Sequence, residues 1–341
     1  MTWMRARACA MAAALGLGAC ATAPEAVKEA AVGEALLDDT PADYWDVIKI
    51  REELAKAGAP EHIGIEDALW KKSPVTVAFN GGNDEVYKII EATAQEWTAH
   101  SENFRFSFRN PDGTFRIWPA TDGKRADIRI SFNENGYWSL IGSFALARAS
   151  GATMNFYNFP ETLRPHYGFP DPAAWKRTYY RATILHEFGH ALGLNHEHFH
   201  KACQADMKFD PDPGYAETLI DGRYVPDTEG RSPGVLLYYK GEPNKWQPRS
   251  KILLQMEREM FLAQTTLFAN MERFAEGDLE LTESAGVDQK SVMLYSLQRY
   301  LLKGGPSSPC IAAGDGDLGG GRRFGAGLSA GDIAYFRENY P

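Results

Sequence analysis

Five of the chain's eight histidines fall between positions 186 and 200, and a carboxylate, Glu187, directly follows the first of His186, His190 and His196. Positions i and i+4 of an α-helix lie one above the other, so a helix through this stretch presents the His186 and His190 imidazoles to one ion. Glu187 follows the first of them by one residue. That offset turns its carboxylate out of the ligand position and leaves it to hold a proton from water or substrate. Were the helix to continue, His196 would point ~120° away from His190 at ~100° per residue. Gly193 allows the left-handed backbone that ends helices, so the chain can turn and bring His196 back. Three imidazoles with a fourth position left for water make an open tetrahedral zinc site, the catalytic arrangement rather than the closed structural one. The expected metal ligands are therefore His186, His190 and His196, the cofactor is Zn2+, and Glu187 is the general base. His198 and His200 read as rim residues, because a fourth histidine would close the water position. On an ordinary helix these side chains could equally be surface or core histidines; the glycine and the third histidine argue against that.

The order His186-Glu187-x-x-His190-x-x-Gly193-x-x-His196 resembles the zinc signature of the metzincin metalloendopeptidases at all five defined positions. That clan carries a methionine-containing turn beneath its metal, and Ser291-Val292-Met293-Leu294-Tyr295 supplies a candidate. The turn, together with Glu197 directly after the third histidine, is similar to the astacin-like branch, although Leu294 stands where that branch has histidine. The resemblance implies that Met293 forms an apolar floor under the ligands. It implies a second catalytic residue in Tyr295, a phenol able to approach the metal or a developing oxyanion. The fold it implies is an α+β, metzincin-like zincin. A mixed twisted sheet and the active-site helix would form the N-terminal lobe, and the C-terminal lobe would be mainly helical and irregular. The activity it implies is zinc-dependent endopeptidolysis of a polypeptide substrate. A reading from another class is a non-catalytic, zinc-stabilised surface lipoprotein that binds a protein partner. The intact Glu187 speaks against it, since a purely structural site needs no base.

Arg5 and Arg7 precede an apolar run, Ala8 to Ala19, that is too short to span a bilayer as a stable helix and reads as a signal peptide over residues 1–19. Leu17-Gly18-Ala19-Cys20 resembles the lipobox of bacterial lipoproteins, in which the cysteine is lipidated and begins the mature chain. Type I cleavage after Ala21-Thr22-Ala23 is the competing site. The expected setting is thus outside the cytoplasm, as an outer-membrane lipoprotein or periplasmic protein that meets the membrane only through a lipid anchor at Cys20, or otherwise secreted. A net charge of −9 with no basic cluster argues against a nucleic-acid partner. In an oxidising compartment Cys203 and Cys310 are left to form a disulfide, with two free buried thiols as the other reading.

Residues 20–60 read as a tether that could double as a pro-segment: Ala21 to Ala42 holds almost no large apolar residue, and Tyr44 to Ala57 carries a helical pattern closed by Gly58-Ala59-Pro60. The metallopeptidase domain is expected over 74–341, and a 44% hydrophobic composition is ample for its core. Pro74 to Phe79 alternates as a strand. Asn83 or Asp84 caps a helix whose Val86, Ile89, Ile90, Ala94 and Trp97 share one face. Phe104–Phe108 and Thr114–Trp118 read as strands around the Asn110–Gly113 turn. Ala126 to Phe132 also alternates. It resembles the edge strand above the metzincin cleft, where an extended substrate would pair, while its alternation fits an internal strand equally well. Thr153–Tyr157 is a further strand, and Trp175–Leu192 is the metal-bearing helix with Ala182, Leu185 and Leu192 behind the metal face. Beyond it come an irregular segment over 201–245, a core-packing helix over Ser250–Phe274, and a glycine-rich loop over 304–327 whose Asp315 and Asp317 lack a full calcium ligand set. Ser329 and Asp332 open a last helix with Ile333, Phe336 and Tyr340 facing inward.

Overall fold

The computed structural model describes residues 68–119, 126–134, 136–146, 148, 150–194, 196–197, 201–220, 222–238, 287–294, 298–312 and 327–341. The signal peptide and Cys20, the 20–60 tether, His198, His200, the Ser250–Phe274 helix, Tyr295, Asp315 and Asp317 lie outside the described residues.

Strand β1 (Val75–Phe79) is a β-branched and aromatic run buried at four of its five positions, as a strand covered on both faces must be. Helix α1 (Asp84–Thr98) begins where the Asn83 side chain accepts the Glu85 and Val86 N–H groups, and its expected apolar face is fully buried. Strand β2 (Phe106–Ser107) is shorter than the five residues expected; the hairpin around Asn110–Gly113 is tied by a single antiparallel bridge, Arg109 with Phe115, and beyond it Ile117 bridges in parallel to Phe79 of β1. Strands β3 (Ile128–Ser131), β4 (Tyr137–Ser139) and β5 (Met154–Phe156) complete a mixed sheet of order β2-β1-β3-β5-β4, parallel except between β4 and β5.

Of the two readings of 126–132 the internal strand holds and the edge strand is corrected: β3 pairs with β1 on one side and β5 on the other. Its polar residues are satisfied inside the protein instead of facing water. Arg129 is 1% exposed and donates to the Ala126, Arg148 and Gly151 carbonyls at 3.2, 2.9 and 2.7 Å. Asp127 accepts Lys72 Nζ at 2.5 Å and both Thr76 donors at 2.8 and 2.7 Å. Alternation registers charge and not the partners that compensate it. Among the described residues the antiparallel edge is β4.

After α2 (Phe159–Thr162) and a short α3 (Pro172–Trp175), the helix expected over Trp175–Leu192 starts later than expected, as α4 (Tyr179–Ala191). Asp171 caps α3. Thr178 interrupts with extended backbone, and its Oγ accepts the Arg181 N–H at 3.2 Å to start α4. Helix α4 packs on α1, with Trp97 Nε1 donating to the Leu185 carbonyl at 2.9 Å and Arg181 paired to Glu96. It is buried nearly all round, as a central helix should be.

The segment after the third histidine is more ordered than expected. It holds helix α5 (Lys201–Asp206), a hairpin of β6 (Leu219–Ile220) and β7 (Arg223–Tyr224), and α6 (Gly234–Tyr238), and the loops on either side of the hairpin are tied together by Asp227. Its carboxylate accepts the Ala216, Glu229 and Arg231 N–H groups and Arg231 Nε, at 2.7 to 3.0 Å. A small second core of Met207, Val235, Tyr238, Leu301, Leu302 and Ile311 surrounds a Cys203–Cys310 disulfide, so the two cysteines are paired as expected. The bond spans 107 residues, and in the chain-entropy account removing it lowers the unfolding free energy by about 5 kcal/mol, or less if the unfolded chain keeps structure. Urea unfolding of the Cys203→Ser, Cys310→Ser protein checks this; unchanged stability would mean that the bond does not constrain the unfolded chain.

The last helix, α7 (Ala330–Asn339), opens on the expected capping box of Ser329 and Asp332, and buries Phe336 and Tyr340 while Ile333 is half-buried. Trp70 is buried too and donates Nε1 to the Ala191 carbonyl at 2.6 Å, so the packed body includes residues before 74.

Candidate metal centre

The last two turns of α4 carry His186, Glu187 and His190, at 0, 1 and 4% exposed. The helix then stops. Gly193 adopts φ 93°, its N–H reaches the His190 carbonyl at 2.8 Å, and the Leu194 N–H closes on Gly189 at 3.0 Å. Trp70 and Tyr340 finish the end, donating to the Ala191 and Leu192 carbonyls at 2.6 and 2.9 Å, which no longer have helical partners.

The turn sends His196 back over the helix, as the glycine predicts. His196 Nε2 lies 3.2 Å from His186 Nε2 and 3.0 Å from His190 Nε2. These three residues form a group able to hold one metal ion. Two tautomers follow from the outer contacts. His186 Nδ1 lies 2.8 Å from the Val292 carbonyl and His190 Nδ1 2.9 Å from the Leu194 carbonyl. A carbonyl only accepts, so both Nδ1 atoms carry the proton and both Nε2 atoms present lone pairs to His196. One proton on His196 Nε2 cannot point at both neighbours at once. A cation can satisfy all three nitrogens, and neutral imidazoles oriented by outer carbonyls are the donor set that zinc takes.

Met293 is fully buried and packs on α4 at Gly189. A Cβ on Gly189 would lie 2.4 Å from Met293 Sδ, so only glycine lets the thioether meet the helix backbone there. Gly189 escaped the sequence reading because it occupies an unspecified position of the motif; a glycine inside a helix was the available signal. The two backbone carbonyls behind the ligands had no signal at all. Glu197 donates its N–H to the Met293 carbonyl at 3.1 Å, and its Oε2 accepts the Asp288 N–H at 3.1 Å. Burial raises its carboxyl to about 7, the Asp288 N–H opposing and the Asp332 and Asp288 carboxylates adding to the rise. Strand β4 packs directly beside α4.

No protein-family model matches this chain, and no curated protein is significantly similar to it. Similar solved structures include two of myroilysin. One is 23% identical, with 82% of this chain and 84% of that chain covered and a TM-score of 0.41. The other is 22% identical, with 80% and 86% covered and a TM-score of 0.40. A third is high choriolytic enzyme 1, a hatching-enzyme zinc protease from the medaka fish Oryzias latipes, 14% identical, with 81% and 95% covered and a TM-score of 0.34. At such identities and scores none of the three decides this chain's fold or activity, which rest on its own side chains.

Proposed function

We propose that this chain is a zinc-dependent metalloendopeptidase acting on proteins outside the cytoplasm, with His186, His190 and His196 holding the metal. The observation that carries the proposal is the convergence of three imidazole Nε2 atoms beside the buried Glu187, two of them with their tautomers set by backbone carbonyls. Zinc bound there supplies Lewis acidity, lowering the pKa of water toward ~7 and polarising a carbonyl. Glu187, next to the first ligand on α4, takes a proton from the attacking water as the C–O bond forms. It returns that proton to the nitrogen of the leaving amine as the C–N bond breaks. Its burial keeps both transfers out of bulk solvent. By the family resemblance, Tyr295 donates a hydrogen bond to the oxyanion. Export and a lipid anchor at Cys20 belong to the same proposal and are carried by the lipobox-like residues 17–20.

The test is metal analysis of the purified chain together with casein digestion, with and without a chelator. One zinc per chain, and cleavage that stops on chelation and returns with zinc, is the expected result. Zinc retained with no cleavage would favour a structural metal in a binding lipoprotein.

A further inference from the structure

The Asp332 carboxylate does more than cap α7. Its Oδ2 accepts the Ser329 N–H at 2.9 Å, closing the capping box, and the same oxygen accepts the Val292 N–H at 3.0 Å. Its Oδ1 accepts the Ser291 hydroxyl at 2.6 Å, and Ser291 Oγ in turn accepts the Met293 N–H at 2.9 Å. The carbonyls of the same turn point to the metal centre: Val292 takes His186 Nδ1–H at 2.8 Å, and Met293 takes the Glu197 N–H at 3.1 Å. Residues 291–293 are therefore held from both sides. The Ser291 hydroxyl and the Val292 N–H meet on one carboxylate that is 3% exposed, the Met293 N–H reaches it through Ser291 Oγ, and the Val292 and Met293 carbonyls receive the first ligand and the neighbour of the third.

We infer that Asp332 is a positioning residue for the metal centre, setting the direction of the Val292 carbonyl and through it the ring orientation and tautomer of His186. The inference rests on the reading of His186 as a zinc ligand. The Val292 C=O and the Met293 N–H share one planar peptide unit, so holding that N–H through Ser291 Oγ, itself bound to Asp332, limits how the carbonyl can turn, while the Val292 N–H bond to Asp332 anchors the preceding unit. Partners of this outer kind change metal affinity by about 10–100-fold although they never touch the ion. Asparagine at 332 would present one acceptor oxygen and an amide to three donors that the carboxylate accommodates with two oxygens.

Three full-chain variants, Asp332→Asn, Ser291→Ala and Ser329→Ala, test this by zinc affinity in chelator competition, by the visible absorption of the cobalt-substituted protein, and by unfolding of the metal-free protein. Asp332→Asn is expected to weaken zinc by about 10–100-fold and shift the cobalt bands. Ser329→Ala removes the cap hydroxyl but leaves Asp332 facing the turn, so it lowers stability while leaving affinity and cobalt bands as in wild type. A folded Asp332→Asn protein with wild-type affinity and cobalt bands overturns the inference, and so does a Ser329→Ala protein that loses as much affinity as Asp332→Asn. Should Asp332→Asn fail to fold, Ser291→Ala decides: a smaller loss of affinity supports the bridge, and an unchanged affinity overturns it. A wild-type chain that binds no zinc would sink the metal assignment itself, which is a different result from binding that ignores Asp332.

Discussion

Glu187→Ala is expected to bind one zinc per chain and to cleave casein about 10²–10⁴-fold more slowly than wild type, the range that a positioned general base contributes. The two halves of this expectation have separate causes. Metal retention follows because the Nε2 atoms that converge belong to His186, His190 and His196, and because the Val292 and Leu194 carbonyls that orient two of those rings are untouched by the substitution. Loss of turnover follows because water still binds but nothing accepts its proton at the moment of attack. Glu187 is 1% exposed, so bulk solvent has little access to take its place. Metal content and initial rates on one preparation separate the two halves. A variant cleaving at the wild-type rate would remove Glu187 from the mechanism, and one that loses its zinc would make it a ligand or a structural support.

His196→Ala should lose zinc affinity by more than the ~10–100-fold that an outer partner is worth, since it removes one of the three nitrogens themselves. Without metal the same change should matter far less. His196 is half-buried, and its Nε2 sits 3.0 and 3.2 Å from two lone pairs, a contact that favours folding little until a cation is present. The readout is therefore a difference. Added zinc stabilises the wild type by binding the folded state alone, and each 100-fold loss of affinity removes about 2.7 kcal/mol of that stabilisation at saturating metal. Unfolding of both proteins with and without zinc gives the result. Equal stabilisation by zinc in the two proteins would mean that the third ligand lies elsewhere in the chain.

Much of this was legible in the residues because it is local. The His186–His190 pair needs only helical spacing, the stop at Gly193 needs only its positive φ, and the Ser329–Asp332 box is three residues long. The apolar face of α1 follows from period alone. What failed or stayed open depended on neighbours distant in sequence. Alternation over Ala126–Phe132 left edge and internal strand open, and the partners that Arg129 and Asp127 find at Gly151, Arg148, Lys72 and Thr76 go with the internal one. The break between α3 and α4 turned on Thr178 preferring to cap rather than continue, a competition that periodicity does not register.

By itself, the order of amino acids determined which side chains can bind a metal, which carboxylate stands beside them, where the metal-bearing helix ends and which two cysteines could join. Only the tertiary structure decided that His186 and His190 are held by the carbonyls of Val292 and Leu194, that Met293 lies against Gly189, and that Asp332 grips the turn between them. The reason is physical. Every residue carries the same backbone N–H and C=O, so sequence does not mark the carbonyl that will orient a ligand. Only packing selects it, by placing residue 292 against residue 186 and residue 332 behind both.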